Sequence, residues 1–202
     1  MNFLAHFHLA KPTDGSRVGA LLGDFVRGTP ESLRRKLTND LVEGIMLHRA
    51  IDQFTDSHPV FQECKTLLHP SRRRFAGIVI DLFFDHLLSI NWAHFSSTPL
   101  PSFIAEIHRT LERKAYWLPP EVTPVVERMM KQEWVGSYQS RRGLIQTLQR
   151  VSQRRSFLKP LREAEEDFSA HREAFQDAFN HFYPELVSFV DQISEGGAFS
   201  SP

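Results

Sequence analysis

The chain has 202 residues with 24 basic and 24 acidic side chains, so no net charge draws it toward nucleic acid. Hydrophobic residues make up 41% and charged residues 24%, the balance of one globular domain with a sizeable core and not of a disordered chain. Cys64 is the only cysteine, which excludes an internal disulfide, fits a reducing compartment and leaves no case for a thiol nucleophile without a partnering base.

Residues 1–12 lack a basic leader and a long apolar core, so no secretory signal is expected and the protein is placed in the cytoplasm. Strand signals are scarce, and helical spacing recurs almost everywhere. Residues 2–10 form a short apolar segment closed by Pro12 and the Asp14-Gly15 turn. Ser16 is expected to cap a helix through VGALLGDFVRG that stops near Gly28 and Pro30. Thr38 or Asn39 caps the next helix, which runs to Pro59, and Pro59 starts a short one ending about Leu68.

The stretch Arg72–Phe95 is apolar on nearly every side and reads as a buried helix. Its length suggests a membrane span, but Asp81, Asp85 and His86 in its middle argue for burial in a soluble fold with no membrane partner. Pro101 and Ser102 open a helix through Lys114, which Pro119-Pro120 breaks. Two more run from about Glu121 to Trp134 and from about Ser137 to Arg155. Pro160 begins a long helix that Pro184 interrupts before a last segment to Ile193, and residues 194–202 are expected to be a disordered tail. No linker or repeat divides the chain, so residues 1–193 are read as a single all-α domain, a helical bundle.

Three of these helices carry charged or imidazole groups among residues that ought to be core. His48, Asp52 and Asp56 follow at i+4 steps along one side of the helix that Thr38 or Asn39 opens. Asp24 sits in the apolar run ALLGDFVRG, three residues before Arg27. Asp81 and Asp85 share a face, with His86 about 100° round the helix. His6 and His8 lie in the first segment. Any one of these could be a private hydrogen bond or ion pair. Together they would impose several separate burial costs on one small core, and one shared metal site accounts for them all. Imidazole and carboxylate donors without thiolate suit Mn²⁺, Mg²⁺, Fe²⁺ or Zn²⁺. Arg27 and Arg49 lie beside candidate ligands and could hold a phosphate bidentately. Basic clusters occur at residues 34–36, 72–74, 141–142 and 154–155. Most read as solvated helix ends, but Arg72 and Arg73 open the buried helix, a placement that suggests an anionic partner near the site.

The segments NFLAHFHLA, LLGDFVRG, GIMLHRAIDQFTD and IDLFFDHLLS, with the later SRRGLIQTLQRVSQRR and HFYPEL, resemble the acyl carrier protein phosphodiesterase family over nearly the whole chain. The resemblance implies a manganese-dependent enzyme that removes 4′-phosphopantetheine from holo acyl carrier protein, with an all-α fold distantly related to the HD phosphohydrolases. On it, His48, Asp52, Asp85 and His86 are expected to hold metal, and His6, Asp24 and Asp81 to serve catalysis. Arg27, Arg49, Arg72 and Arg73 are expected to bind substrate. The adjacent pair Asp85-His86 reverses the His-Asp order of typical HD enzymes, so ligands do not transfer from that wider class. Two other readings stand beside this one: a phosphohydrolase acting on a nucleotide or other small phosphate ester, and a non-catalytic helical module that binds an acidic protein.

Overall fold

Asn2 accepts the backbone N–H of Phe3 and starts α1 (Phe3–Leu9) in a computed structural model that describes residues 1–196. Thr13 caps α2 (Asp14–Leu22) by accepting from the Ser16 N–H. Ser16, the expected cap, lies inside the first turn and accepts from Lys11 instead. The Phe25 and Val26 N–H groups both turn back onto the Leu22 carbonyl, so α2 ends several residues before Gly28. Asp24 therefore sits in a turn and not on a helix. A short α3 (Pro30–Arg34), not foreseen in the sequence, follows with Thr29 as its cap.

The next elements match their sequence signals closely. Thr38 precedes α4 (Asn39–Ser57), and Pro59 opens α5 (Pro59–Leu67). The buried helix read over Arg72–Phe95 is shorter than expected: a 3₁₀ turn over Arg73–Phe75 leads into α6 (Ala76–Ile90) and a second, Trp92–His94, follows it, while α7 spans Leu100–Arg113. Beyond that the chain is more broken than its periodicity suggests. α8 (Thr123–Lys131) and α9 (Trp134–Ser137) are separated by Glu133, held in the left-handed region at φ 47°. Ser140 then caps α10 (Arg141–Ser152).

The long helix expected from Pro160 is divided. A 3₁₀ segment covers Ser156–Glu163, then come α11 (Ala164–Ala170), a break at His171, and α12 (Arg172–Glu195). Pro184, the expected interruption, lies inside α12. Its missing N–H and ring clash cost about 3 kcal/mol. Phe179, Phe182, Tyr183 and Leu186 around it are all fully buried, and that packing holds the helix through the proline. Of the expected tail, residues 194 and 195 belong to α12, and 197–202 lie outside the described residues.

α6 is the axis of the core. Val79, Ile80, Phe83, Phe84, Leu87 and Leu88 have no exposure. Phe83 meets Phe168 of α11 and Phe175 of α12, and Phe84 meets Phe179 and Phe182. α2 and α4 approach at glycines: a Cβ on Gly19 would come 2.5 Å from the Leu41 carbonyl oxygen, and one on Gly44 2.5 Å from that of Ser16. Among the described residues there is no strand, and no helix is long and apolar enough to cross a membrane.

Candidate active site

The site forms where α1, α4, α6 and the turn after α2 meet. His48 of α4 donates from Nδ1 to the Ala20 carbonyl at 2.7 Å, which fixes the ring and turns Nε2 away from α2. Gly23 makes room for it, since a Cβ there would lie 2.2 Å from His48 Cγ. His48 Nε2 is 3.1 Å from Asp52 Oδ2 and 3.4 Å from Asp24 Oδ1, yet it has no well-directed hydrogen bond to either. His6 of α1 stacks on the His48 ring with centroids 3.7 Å apart. Its Nε2 lies 3.1 Å from Asp52 Oδ1 and 3.0 Å from the Met1 carbonyl oxygen, while its buried Nδ1 has no partner. The Met1 amine lies 3.0 Å from Asp81 Oδ1 and 3.5 Å from Asp52 Oδ1, a cation among carboxylates.

The charges shape one another. Burial opposes protonation of His48, but its contacts with Asp24 and Asp52 prevail and raise it to about 9. Burial, and then the charge on His48, push His6 down to about 4. Burial alone would raise Asp52, but His48 and His6 hold it well below the usual carboxylate range. Asp24 is lowered in the same way by His48 against its own partial burial. Asp81 goes the other way, to about 6, because burial outweighs the Met1 amine.

His6, His48 and Asp52 each offer a donor atom, and these atoms lie within 4.8 Å of one another. His48 Nε2 and His6 Nδ1 are buried without a hydrogen-bond partner, the donors are imidazole and carboxylate, and the Nδ1 of His48 is anchored on a backbone carbonyl. That is the arrangement that orients a ligating imidazole, and the donor set fits a divalent ion such as Mn²⁺, Fe²⁺ or Mg²⁺. A cavity of about 210 Å³ opens beside the group. Asp24, Asp52 and Asp81 line it, together with Thr147 and Arg150 of α10 and Arg154 just beyond. The Thr147 hydroxyl is buried and without a partner.

The remaining residues singled out in the sequence lie elsewhere. Asp85 is fully buried, and its two oxygens accept the Leu4 and Ala5 backbone N–H groups at 2.7 and 3.2 Å. It closes the N-terminal end of α1 and stands outside the donor group. His86, a turn-third round α6, places Nδ1 2.6 Å from the Tyr138 carbonyl oxygen and its ring edge against Phe168. Arg49 donates to the carbonyls of Gly28 and Val26 and so ties down the loop after Asp24. Arg27 is exposed and has no hydrogen bond or ion pair among the described residues. Arg72 is buried against Asp167, and Arg73 donates to the Leu68 and Thr66 carbonyls. None of these four arginines lines the cavity. Arg150, which no sequence motif marks, does line it, and so does Arg154, whose run with Arg155 reads in sequence as a solvated helix end. Their signal was the i, i+3, i+7 spacing with Thr147, which means something only once the face of α10 that turns inward is known.

Residues 1–186 match the family described as acyl carrier protein phosphodiesterase. A protein of that name from Enterobacter sp. (strain 638) is 37% identical over 188 residues, 93% of this chain and 96% of the relative. Others from Salmonella dublin and Photorhabdus laumondii subsp. laumondii are 36% and 35% identical over 93% of this chain, and 96% and 93% of their own lengths. No solved structure matches, so the expected kinship with HD phosphohydrolases rests on the sequence resemblance alone. With the family match running over residues 1–186 and such relatives aligned nearly end to end, the chain belongs to the acyl carrier protein phosphodiesterase family.

Proposed function

We propose that the protein is a metal-dependent phosphodiesterase. Its substrate is holo acyl carrier protein, and its products are apo carrier protein and free 4′-phosphopantetheine. The observation that carries this reading is the convergence of His6, His48, Asp52 and Asp24 on one side of a cavity that Arg150 and Arg154 also line. The names of the relatives support the substrate.

A divalent ion, Mn²⁺ first among them, would be held by His6, His48 and Asp52 with Asp24 at the rim. When bound, such an ion lowers the pKa of a water and offsets charge on a phosphoryl oxygen. The water oxygen bonds to phosphorus, the bond to the serine oxygen breaks, and that oxygen takes up a proton as the carrier protein departs. Asp81 lines the cavity with a carboxyl that titrates near about 6, so it can hold and return a proton near neutrality. Asp24, lower in pKa and more exposed, is suited to accept one in passing. A lone cysteine, left unpaired, is consistent with work in a reducing cytoplasm.

The test mixes the protein with holo acyl carrier protein and Mn²⁺, then repeats it with excess chelator. The carrier is expected to lose the mass of the phosphopantetheine arm only with metal. No loss with metal present would overturn the reading and leave a small phosphate ester or a binding role.

A further inference from the structure

α10 and the two residues after it present two parallel stripes at the same spacing. Thr147, Arg150 and Arg154 line the cavity beside the carboxylates. Gln146, Gln149 and Gln153, one position earlier each, line an open groove that shares Arg150, Arg154 and the Trp134 indole with that cavity. Cavity and groove thus adjoin, with Arg150, Arg154 and Trp134 facing both. Gln146 and Gln153 are seven helical steps apart, about 10 Å.

The chemistry of the two stripes differs. The Thr147 hydroxyl is buried and unpartnered where it borders the cavity, and an orphaned buried hydroxyl is costly unless a ligand satisfies it. Arg150 lies over the Trp134 ring with its guanidinium carbon 4.5 Å from the centroid, which steadies the cation at the junction. Two guanidinium groups and a hydroxyl suit a phosphoryl group. The three carboxamides make no hydrogen bond to the protein among the described residues. Each offers both donor and acceptor, the complement of an amide. Four carboxamides, Gln132 among them, line the groove beside three arginines, two of which, Arg150 and Arg154, stand at its cavity end.

Resting on the activity proposed above, we infer that the prosthetic arm of the substrate, and not the carrier protein, lies along α10. Its phosphoryl group is held by Thr147, Arg150 and Arg154, and its two amide links lie against Gln149 and Gln153. Trp134 closes the junction between them. The carrier protein then approaches from the opposite end of the phosphodiester, at the Asp24 side of the cavity.

Direct binding tests this apart from turnover. Free 4′-phosphopantetheine and inorganic phosphate are each titrated into the full chain with Mn²⁺, for the wild type and for the Gln149→Leu/Gln153→Leu double variant. Leucine keeps the bulk at both positions and the helix propensity at half-buried Gln149 inside α10. The ratio of 4′-phosphopantetheine affinity to phosphate affinity is expected to fall about tenfold in the double variant, the loss of about two net hydrogen bonds. Thr147→Val, nearly isosteric, is expected to weaken both ligands. An unchanged ratio overturns the arm subsite. So does a loss of affinity for apo acyl carrier protein with the ratio unchanged, which would make the groove a protein-docking face. If the wild type releases no arm from holo carrier protein while the ratio still falls, the activity reading fails and the subsite stands as one for an amide-bearing phosphate.

Discussion

Asp52 lies within 3.5 Å of three nitrogen groups, His6 Nε2, His48 Nε2 and the Met1 amine, and no other carboxylate of the site bridges both imidazoles. Asp52→Asn keeps the shape and deletes the charge. It is expected to weaken Mn²⁺ binding and to lower kcat/KM for arm release by at least about 100-fold. Full activity with Mn²⁺ would remove Asp52 from the donor group. His48 sets the pH behaviour. Its folded-state pKa is raised from 6.5 to about 9, so without metal the stability it lends is complete below about 6.5 and is lost as pH rises through 9. A divalent ion needs the neutral ring, so protons compete for it below about 9, by about tenfold in affinity per pH unit. The rise in Tm on adding Mn²⁺ should therefore grow between pH 6.5 and 9. A flat profile would exclude His48 as a ligand. His48 and Asp52 were legible in the sequence because i+4 spacing on a helix fixes their proximity. Asp85 and His86 looked equally costly to bury. The groups that relieve that cost are the backbone N–H of Leu4 and Ala5 and the carbonyl of Tyr138, which no side-chain pattern displays.

At the scale of elements, the site depends on how closely α2 lies on α4. Ala20 anchors His48 from α2, and Gly23 clears space for the ring at its end. A Cβ on Gly44 would meet Ser16 O at 2.5 Å, Ser16 Cα at 2.8 Å and Gly19 Cα at 3.0 Å, all backbone atoms that cannot rotate away. Gly44→Ala must push the two helices apart. The expected cost is about 1–3 kcal/mol of stability in denaturant unfolding. Mn²⁺ affinity, read by titration calorimetry, should fall with it, because the Ala20 carbonyl withdraws from Nδ1. Lowered stability with unchanged affinity would uncouple this helix pair from the site. The helix start at Pro59 was legible because a proline acts within a turn of where it stands, and that at Asn39 from residue type alone, since Thr38 makes no side-chain capping bond. The early stop of α2 and the passage of α12 through Pro184 were not, because each is decided by packing against distant residues. The same holds for the arginines: the triple at 72–74 drew notice as a run, whereas Arg150 and Arg154 matter through the direction α10 faces.

The whole molecule joins segments that the sequence keeps far apart, and Arg72 shows how that changes the meaning of a residue. Read in sequence, it opens the helix that bears Asp81 and so suggested a substrate contact. In the fold its Nε and a terminal nitrogen hold Asp167 at 2.6 and 2.7 Å, 95 positions away, and Asp167 also accepts the His69 N–H. The side chains are 5% and 9% exposed. Removing one member of such a pair leaves the other charged and buried, at a cost of about 3–5 kcal/mol, whereas replacing both with apolar residues of similar size can be nearly neutral. Arg72→Met is therefore expected to lower Tm sharply, and Arg72→Met/Asp167→Leu to recover most of the loss. In both, the KM for holo acyl carrier protein should stay at the wild-type value for the folded fraction, since neither residue lines the cavity. A raised KM with an unchanged Tm would return Arg72 to the substrate. The opposite pattern identifies it as the strut that fixes the entry of α6 against α11, and so holds the carboxylate-bearing helix in place from outside the site.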